Sequence, residues 1–512
     1  MLKSISLENY KCFKNKTDIE IAPLTVLCGV NSSGKSSILK SLLMLKQTSE
    51  SNSADGSIIL SGDFVDCGIF EDVVYNGAKN SNNFFTLRNK FVVNNHRLVK
   101  TGKFVKRQDA KDFNELRRMY FFIKGEIKYF LFETEITVKK YTDNTNEFLQ
   151  YITNNQIYFY QIKISAFNED NKIIEDSCGY VRFKINETKK DDIEPHLLSW
   201  SNIPGFSKSA KEFTDYICSC TFNGLSISNI FAYDMKNNIK GIVPNILSIF
   251  RIVSNQYRNI SYIAPLRNMP QRTYIIKNSD SDSVGINGEN TSTLLAKIKN
   301  EKVLTDAFCP WTNTLKTDEK GFVYSDYHTI IQQWLDYFDM ETLKVTGENG
   351  TINLKMGNHN IADVGFGLSQ VLPIIAQGIY MDKEQTLMIE QPEIHLHPKM
   401  ELQMADFLIT LADSERNIIV ETHSDHIKNR IIRRILEDET RTLHDKIKIY
   451  FIEQIEDNDS HEMFSIKKPI EIDEALGITK QVKGFFDQAA NEQLELLQAG
   501  ILKRQKIKDG II

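Results

Sequence analysis

The chain has 512 residues, enough for two or three domains, and its 41% hydrophobic and 25% charged content is that of a globular protein with a sizeable core. A net charge of −5 excludes a polycation that coats nucleic acid, so any nucleic-acid contact must come from a local patch. No apolar run approaches the length of a membrane span and no basic–apolar–small leader opens the chain, so neither a transmembrane helix nor a signal peptide is expected. The seven cysteines are scattered and odd in number, which suits reduced thiols in the cytoplasm; Cys218-Ser-Cys220 alone is a weak metal signal.

In chain order, Leu2–Glu8 and Thr17–Ile21 predict two short strands. Leu24–Gly29 predicts a third, followed by a glycine-bounded loop and a helix over Ser36–Leu45 with apolar Ile38, Leu39, Leu42 and Leu43. Thr48–Gly56 is a polar linker, and Ile58–Val74 returns to strand-like text with Gly62 and Gly68 as turns. From Asn83 to about Asn186, aromatic and β-branched residues alternate, as in Tyr129–Val138, Gln156–Ile164 and Tyr180–Ile185. Asn/Asp-rich turns such as Thr142–Asn146 separate them, which predicts antiparallel strands. Lys211–Asn259 reads as helical, Asn278–Thr293 as a loop and His328–Phe338 as an amphipathic helix. A hairpin over Leu343–Met356 turns at Glu348-Asn-Gly350. From Gly365 to Ile452 helix and strand alternate: a helix from Leu368, then strand Thr386–Ile389, helix Lys399–Ala412, strand Asn417–Glu421, helix Ser424–Leu436 and strand Ile447–Ile452. That is α/β text for a largely parallel sheet. A helix over Asn491–Leu502 closes the chain, and no internal repeat or sustained heptad is present.

The chemistry concentrates in four places. Gly29-x-x-x-x-Gly34-Lys35-Ser36 fits the phosphate-binding loop without mismatch. Main-chain N–H groups of Asn31, Ser32, Ser33, Gly34, Lys35, Ser36 and Ser37 can face a β-phosphate; Lys35 reaches the β- and γ-phosphates, and the Ser36 hydroxyl suits Mg²⁺. The helix N-terminus adds partial positive charge at the same point. Second, the strand before Glu390 is apolar and ends in that carboxylate, which can hold the metal or its water opposite Ser36; Gln391-Pro392-Glu393 follows. Third, the strand Asn417–Glu421 ends at Thr422-His423-Ser424, where His423 can meet the γ-phosphate or the attacking water. Fourth, Gly365, Gly367, Ser369 and Gln370 lie in a glycine-rich turn that opens a helix, another anion-binding N-terminus.

These four segments, in the chain order Gly29–Ser37, Gly365–Gln370, Glu390–Pro398 and Thr422-His423-Ser424, resemble the ABC-type ATPase heads of the RecF/SMC/OLD group, and Pro392-Glu-x-His-Leu-His-Pro398 is typical of the OLD-like branch. Leu7–Phe13 resembles the opening strand of that group. More weakly, Leu42–Gln47, Ile263–Arg267 and Gly484–Asp487 resemble stand-alone bacterial ATPases of anti-phage defence operons, the nearest type being the ATPase partner of an HNH nuclease in Septu and some retrons. The resemblance implies an α/β head with ATP and Mg²⁺ as cofactors. It further implies a homodimer that sandwiches two ATP molecules, with the Gly365–Gln370 loop of one copy capping the γ-phosphate held by Lys35 of the other, and room for a larger assembly. The expected architecture is a head over residues 1–80 and 359–512, split by a β-rich insertion over 81–190 and a mainly helical one over 191–358, without a long coiled coil.

Two departures bear on mechanism. The group's metal acid is usually Asp followed by a Glu base, whereas here Gln391 follows Glu390, and Gln accepts no proton. Either Glu393 takes over as base or the protein hydrolyses slowly and works as an ATP-held clamp. The usual signature serine is glycine, with Ser369 one residue into the helix as a substitute. Other residues carry two readings each: Gln47 as Mg²⁺ sensor or helix-end residue, Arg267 and Arg272 on phosphate or on a surface carboxylate, and Glu393, His395 and His397 as a metal site or an interface loop. His423 with His426 is a weaker metal candidate. The run Lys100, Lys103, Lys106, Arg107, Lys111, Arg117 and Arg118 is either a nucleic-acid patch or a solvated face. Asp457-Asn-Asp459 resembles half of a Toprim site, but the text around it reads as a hairpin turn and too little chain follows for that domain, so no nuclease of its own is expected. The expected function is an ATP-dependent regulator of a separate effector, a nuclease; the rivals are a repair ATPase acting on DNA directly and a transporter ATPase subunit.

Overall fold

A computed structural model describes residues 1–77, 83–95, 107–120, 126–141, 154–185, 196–201, 214–232, 239–276, 282–304, 324–478 and 495–504, apart from positions 55, 176, 300, 349, 384, 459, 474–475 and 502. The first part of the chain forms β1 (Leu2–Glu8), β2 (Thr17–Glu20), β3 (Leu24–Gly29), α1 (Lys35–Glu50) and the single turn α2 (Phe70–Val73). Next come β4 (Phe84–Asn94), α3 (Arg107–Met119), β5 (Tyr129–Tyr141), β6 (Asn154–Phe167), β7 (Gly179–Ile185), β8 (His196–Ser201), β9 (Thr214–Asn223) and β10 (Ser226–Ala232). Then α4 (Ile239–Arg258), β11 (Ile260–Ile263), β12 (Tyr274–Ile275), α5 (Thr291–Ile298), β13 (Lys302–Leu304), β14 (Tyr324–Asp326), α6 (Tyr327–Tyr337), β15 (Leu343–Glu348), β16 (Thr351–Met356) and β17 (His359–Asn360) lead to the C-terminal part. That part contains α7 (Phe366–Tyr380), β18 (Thr386–Glu390), α8 (Pro398–Asp413), β19 (Asn417–Glu421), α9 (Asp425–Glu437), α10 (Leu443–Lys446), β20 (Ile447–Glu456) and β21 (Met463–Pro469).

Two large sheets organise these elements. One has six strands in the order β11-β18-β19-β3-β20-β21, all parallel except β21. The other has nine antiparallel strands in the order β10-β9-β8-β7-β6-β5-β4-β1-β2. Every residue of β18 and β19 is buried, which explains their uninterrupted apolar text. Their side chains alternate between two cores. Leu24, Val26, Leu387, Ile389, Ile418 and Val420 pack with helices α5 to α9. Leu27, Met388 and Ile419 point the other way, into a core shared with α1, α4 and the nine-stranded sheet. The molecule is therefore layered: antiparallel sheet, helices α1 and α4, six-stranded sheet, outer helices. Each fully buried Leu or Ile in these layers contributes about 1.5–3 kcal/mol.

The strand reading of the middle region holds but ends too early. Strands continue through β8, β9 and β10, so Thr214–Ala232 is not helical; only Ile239–Arg258 of that stretch is. The β-rich run is also not set apart from the N-terminal part, because β4 pairs with β1 in the same sheet, and a boundary at 190 falls between the hydrogen-bonded strands β7 and β8. Ile58–Val74 forms isolated bridges and the turn α2, not strands. Helix α1 runs on to Glu50, into the expected linker. The turn at Asp457 joins β20 to β21 as expected, with Lys14 donating to Asp457 at 2.8 Å. Thr142–Asn146 and Gly484–Asp487 lie outside the described residues, and of the closing helix residues 495–501 are described as helical. Among the described residues the longest helix is α4, at 20 residues, and no helix is long and apolar enough to cross a membrane.

Candidate functional site

β3 delivers the phosphate loop at the carboxyl edge of the six-stranded sheet. Gly29 has φ 147°, and a Cβ there would stand 2.1 Å from the Ile452 carbonyl oxygen. Gly34 has φ 102°, and its Cβ would stand 2.3 Å from Cys12 Sγ, so both positions demand glycine. The loop is braced from outside, since Ser465 Oγ donates to the Ser33 carbonyl at 2.7 Å and Gln454 Nε2 to that of Ser32 at 3.2 Å. Gly34 gives α1 no side-chain cap, which leaves its first-turn N–H groups for an anion. Lys35 Nζ donates to the carbonyls of Val30 at 2.7 Å and Gly29 at 3.1 Å, and burial pulls its pKa down.

Opposite this loop stand two carboxylates. β18 and β19 run parallel with Glu390 in register with Glu421. Ser36 Oγ donates to Glu421 Oε1 at 3.0 Å, while Glu421 Oε2 is buried with no hydrogen-bond partner. Tyr262 donates its hydroxyl to Glu390 Oε1 at 2.9 Å. Burial, then the neighbouring Glu421, push Glu390 up to about 7, and burial raises Glu421 as well. A cation relieves both carboxylates at once, so these residues fit a Mg²⁺ ion that shares its coordination with phosphate oxygens. Among the described residues no group of three or more His, Cys, Asp or Glu side chains could hold a metal unaided.

A cavity of about 600 Å³ gathers the parts: Asn31, Ser32, Gly34, Lys35, Ser36 and Ser37 from the loop, with Gln391, Glu421 and His423 facing them. Lys11, Cys12 and Asp72 complete the wall. Partial burial and the Lys35 ammonium push the His423 imidazole down, towards its neutral form. Gln391 sits at φ 44°, with its N–H donating to the Glu421 carbonyl at 2.7 Å. Glu393 does not line this cavity. Its Oε1 accepts the His423 N–H at 2.7 Å and its Oε2 is buried without a partner, so in this arrangement it latches the two strand ends together.

The Gly365 segment opens elsewhere. Gly365 caps α7, and open space surrounds the place of its Cβ. Gly365 and Gly367 line a second cavity of about 500 Å³ with Asp363, Met340 and Met400. Ser369 and Gln370 are buried, and Gln370 Nε2 donates to Ser369 Oγ at 3.2 Å. Ser369 is therefore not a surface residue, and the glycines of the segment, Gly365 and Gly367, are its accessible part.

Other candidates resolve differently. Gln47 lies twelve residues along α1 from Lys35, about 18 Å by helical rise. Its Nε2 donates to the Ile59 carbonyl and its Oε1 accepts the Val65 N–H, so it ties α1 to the following segment and does not meet the metal site. Arg272 pairs with Asp363 at 2.5 Å on the surface, whereas Arg267 is buried against the main chain of Glu390 and Gln391. His397 caps α8 by accepting the Lys399 N–H. Cys218 and Cys220 touch at 3.5 Å on a buried face. Of the basic run, Arg107–Met119 is helix α3 with Lys111 and Arg118 exposed; Lys100, Lys103 and Lys106 lie outside the described residues. Glu421 is the cavity-lining carboxylate that motif reading passes over. Its signal is a second apolar strand ending in a carboxylate, immediately before the Thr-His-Ser segment.

A family profile described as AAA ATPase domain matches residues 1–427. The chain belongs to that family. It is a nucleotide-binding ATPase. No functionally curated protein matches the ATPase. Among solved structures it is similar to an SMC head bound to the C-winged helix domain of ScpA, at 13% identity and TM-score 0.40 over 92% of this chain and 98% of that one. It is also similar to the SMC head domain from Thermotoga maritima, at 9% identity and TM-score 0.31 over 92% and 99%. A third is an Smc head with an extended coiled coil bound to a ScpA domain derived from Pyrococcus furiosus, at 11% and 0.34 over 97% and 99%. The mixed α/β fold is identified by the sheet order above, not by these superpositions.

Proposed function

We propose that this ATPase takes up ATP with Mg²⁺, closes into a homodimer over the nucleotides and thereby controls a separate effector, a nuclease, in bacterial anti-phage defence. The observation that carries the dimer is the separation of the two cavities. Lys35, Ser36 and His423 line one and Gly365 and Gly367 the other, with no lining residue shared, which supports the second set of N–H donors coming from another copy. Ser36, Glu390 and Glu421 would hold Mg²⁺, which supplies charge neutralisation at the β- and γ-phosphates. Lys35 and the loop N–H groups bind the phosphates, and neutral His423 hydrogen-bonds at the γ-phosphate edge. Gln391, facing the cavity, orients water without accepting its proton; Glu393 can act as base only after it releases the His423 N–H. That arrangement favours slow turnover and a long-lived ATP-bound state. The effector is supported by the likeness of Leu42–Gln47 and Ile263–Arg267 to defence ATPases that work beside a nuclease.

Light scattering with and without Mg·ATP tests the closure. Wild type doubles in mass on ATP, Lys35→Ala stays monomeric because it does not bind, and Gly365→Asp binds a fluorescent ATP analogue yet stays monomeric, its carboxylate opposing the partner's phosphates. A wild type that remains monomeric at saturating Mg·ATP sinks the dimer. The second reading, a repair ATPase that acts on DNA itself, draws on exposed Lys111 and Arg118 of α3. Salt-dependent DNA binding by the isolated protein that Lys111→Glu with Arg118→Glu abolishes would favour it.

A further inference from the structure

The segment after β11 has its polarity inverted. Leu266 and Met269 are 71% and 72% exposed, while Arg267 between them is 5% exposed. A guanidinium leaves water at considerable cost unless hydrogen bonds and opposite charge replace the lost hydration. Here the replacement is partial. Nη2 donates to the carbonyl of Glu390 at 3.0 Å and of Gln391 at 3.4 Å, while Nε and Nη1 are buried without partners. The carboxylate acting on it is Glu393, whose Oε2 is likewise buried without a partner. The same stretch of chain also grips Glu390 by its side chain, through the Tyr262 hydroxyl. β11 runs parallel to β18 with Ile263 opposite Ile389, which brings both Tyr262 and Arg267 to the end of β18.

We propose that Arg267 is a positioning residue for the nucleotide site: from outside the cavity it fixes the main chain of Glu390 and Gln391, and with Tyr262 it aims the Glu390 carboxylate. The inference rests on the reading of Glu390 as a Mg²⁺ acid. Arg267 does not line the cavity, so its loss leaves the phosphate loop intact and weakens only what depends on Glu390 and Gln391.

The test measures affinity for a fluorescent ATP analogue in EDTA and in Mg²⁺, together with turnover, for full-length wild type, Arg267→Met, Arg267→Lys and Tyr262→Phe. In EDTA all variants bind within about twofold of wild type, because that affinity comes from Lys35 and the loop. The gain in affinity on adding Mg²⁺, and kcat, fall about 10- to 100-fold in Arg267→Met, as for other outer-shell partners of a metal ligand. Arg267→Lys recovers part of the loss, and Tyr262→Phe loses part of the Mg²⁺ gain without touching the main-chain contacts. An unchanged Mg²⁺ gain in Arg267→Met overturns the proposal, as does an equal loss in EDTA and Mg²⁺. Should Arg267→Met not fold, the other two variants decide by the same readout. A wild type that shows no Mg²⁺ gain overturns the reading of Glu390 itself, a result separate from either.

Discussion

The two sheets of this ATPase bury similar residues and do different work. In the six-stranded sheet β3, β18 and β19 run parallel, so Gly29, Glu390 and Glu421 all emerge at one edge. The nine-stranded sheet is antiparallel throughout, and successive strand ends point to opposite sides. Each of its edges gathers carboxyl ends only from alternate strands, with the amino end of a neighbour between them. Parallel order is what lets a phosphate loop from residue 29, an acid from residue 390 and a histidine from residue 423 meet, the general logic of ligands at the carboxyl ends of an open α/β sheet. The antiparallel sheet instead supplies mass and packing: Phe91, Phe132 and Ile164 form a cross-strand row, buried and fully apolar.

If that division is right, changes at the parallel edge alter chemistry with little effect on folding, and changes in the antiparallel sheet do the reverse. The largest effect is expected from Gln391→Glu. It restores a proton acceptor facing Lys35 and His423, and turnover should rise about 10²- to 10⁴-fold, read by phosphate release with unfolding temperature unchanged. A rate that does not move would mean that Glu393, and not position 391, supplies the base. Next is Phe132→Ala, which empties a fully buried site in β5 and should cost about 3–5 kcal/mol in denaturant unfolding. Nucleotide affinity of the remaining folded protein should stay the same; a matching loss of affinity would show that the two sheets are not separable in function.

The parallel edge was the more legible half in sequence, for a physical reason. Strands buried on both faces are written as unbroken apolar runs, and each run here stops at a residue that breaks the apolar text: Gly29, Glu390, Glu421. The loop motif is contiguous, so its function reads directly from spacing. What escapes a linear reading is register. Glu421 lines the cavity because β19 lies between β18 and β3; the carboxylate that ends its apolar run is visible in the sequence, but that strand order is not. Gln47 stays open between two readings for the opposite reason: its position at the end of α1 is visible, but the main chain of Ile59 and Val65, which decides for the helix-end role, is not. In the antiparallel half, β9 and β10 carry Cys, Ser and Asn among their apolar residues, which blurs the alternation and let α4 dominate the reading of that stretch.

Two smaller perturbations sharpen the comparison. Tyr257 of α4 joins the antiparallel sheet through its hydroxyl, 3.1 Å from both Asn89 Nδ2 and Thr134 Oγ1, all buried. Tyr257→Phe leaves Asn89 and Thr134 without that partner and should cost about 1–3 kcal/mol of stability, with Mg·ATP affinity unmoved. A drop in affinity would mean that α4 passes strain on to the six-stranded sheet lying behind it.

The smallest effect is expected at Arg272→Ala. Arg272 makes a two-point pair with Asp363 at 2.5 and 3.0 Å, two residues before Gly365, but the side chains are 71% and 45% exposed. Exposed pairs contribute about 0.2–1 kcal/mol, so unfolding should barely change, and nucleotide binding by the isolated chain should not change at all. Its consequence, if any, belongs to the assembled state. Asp363 freed of its partner places negative charge beside the Gly365 N–H groups that would meet the partner copy's γ-phosphate, so ATP-dependent dimerisation should weaken, and more so at low salt than at high. Equal loss at both ionic strengths would point to altered loop packing instead of charge.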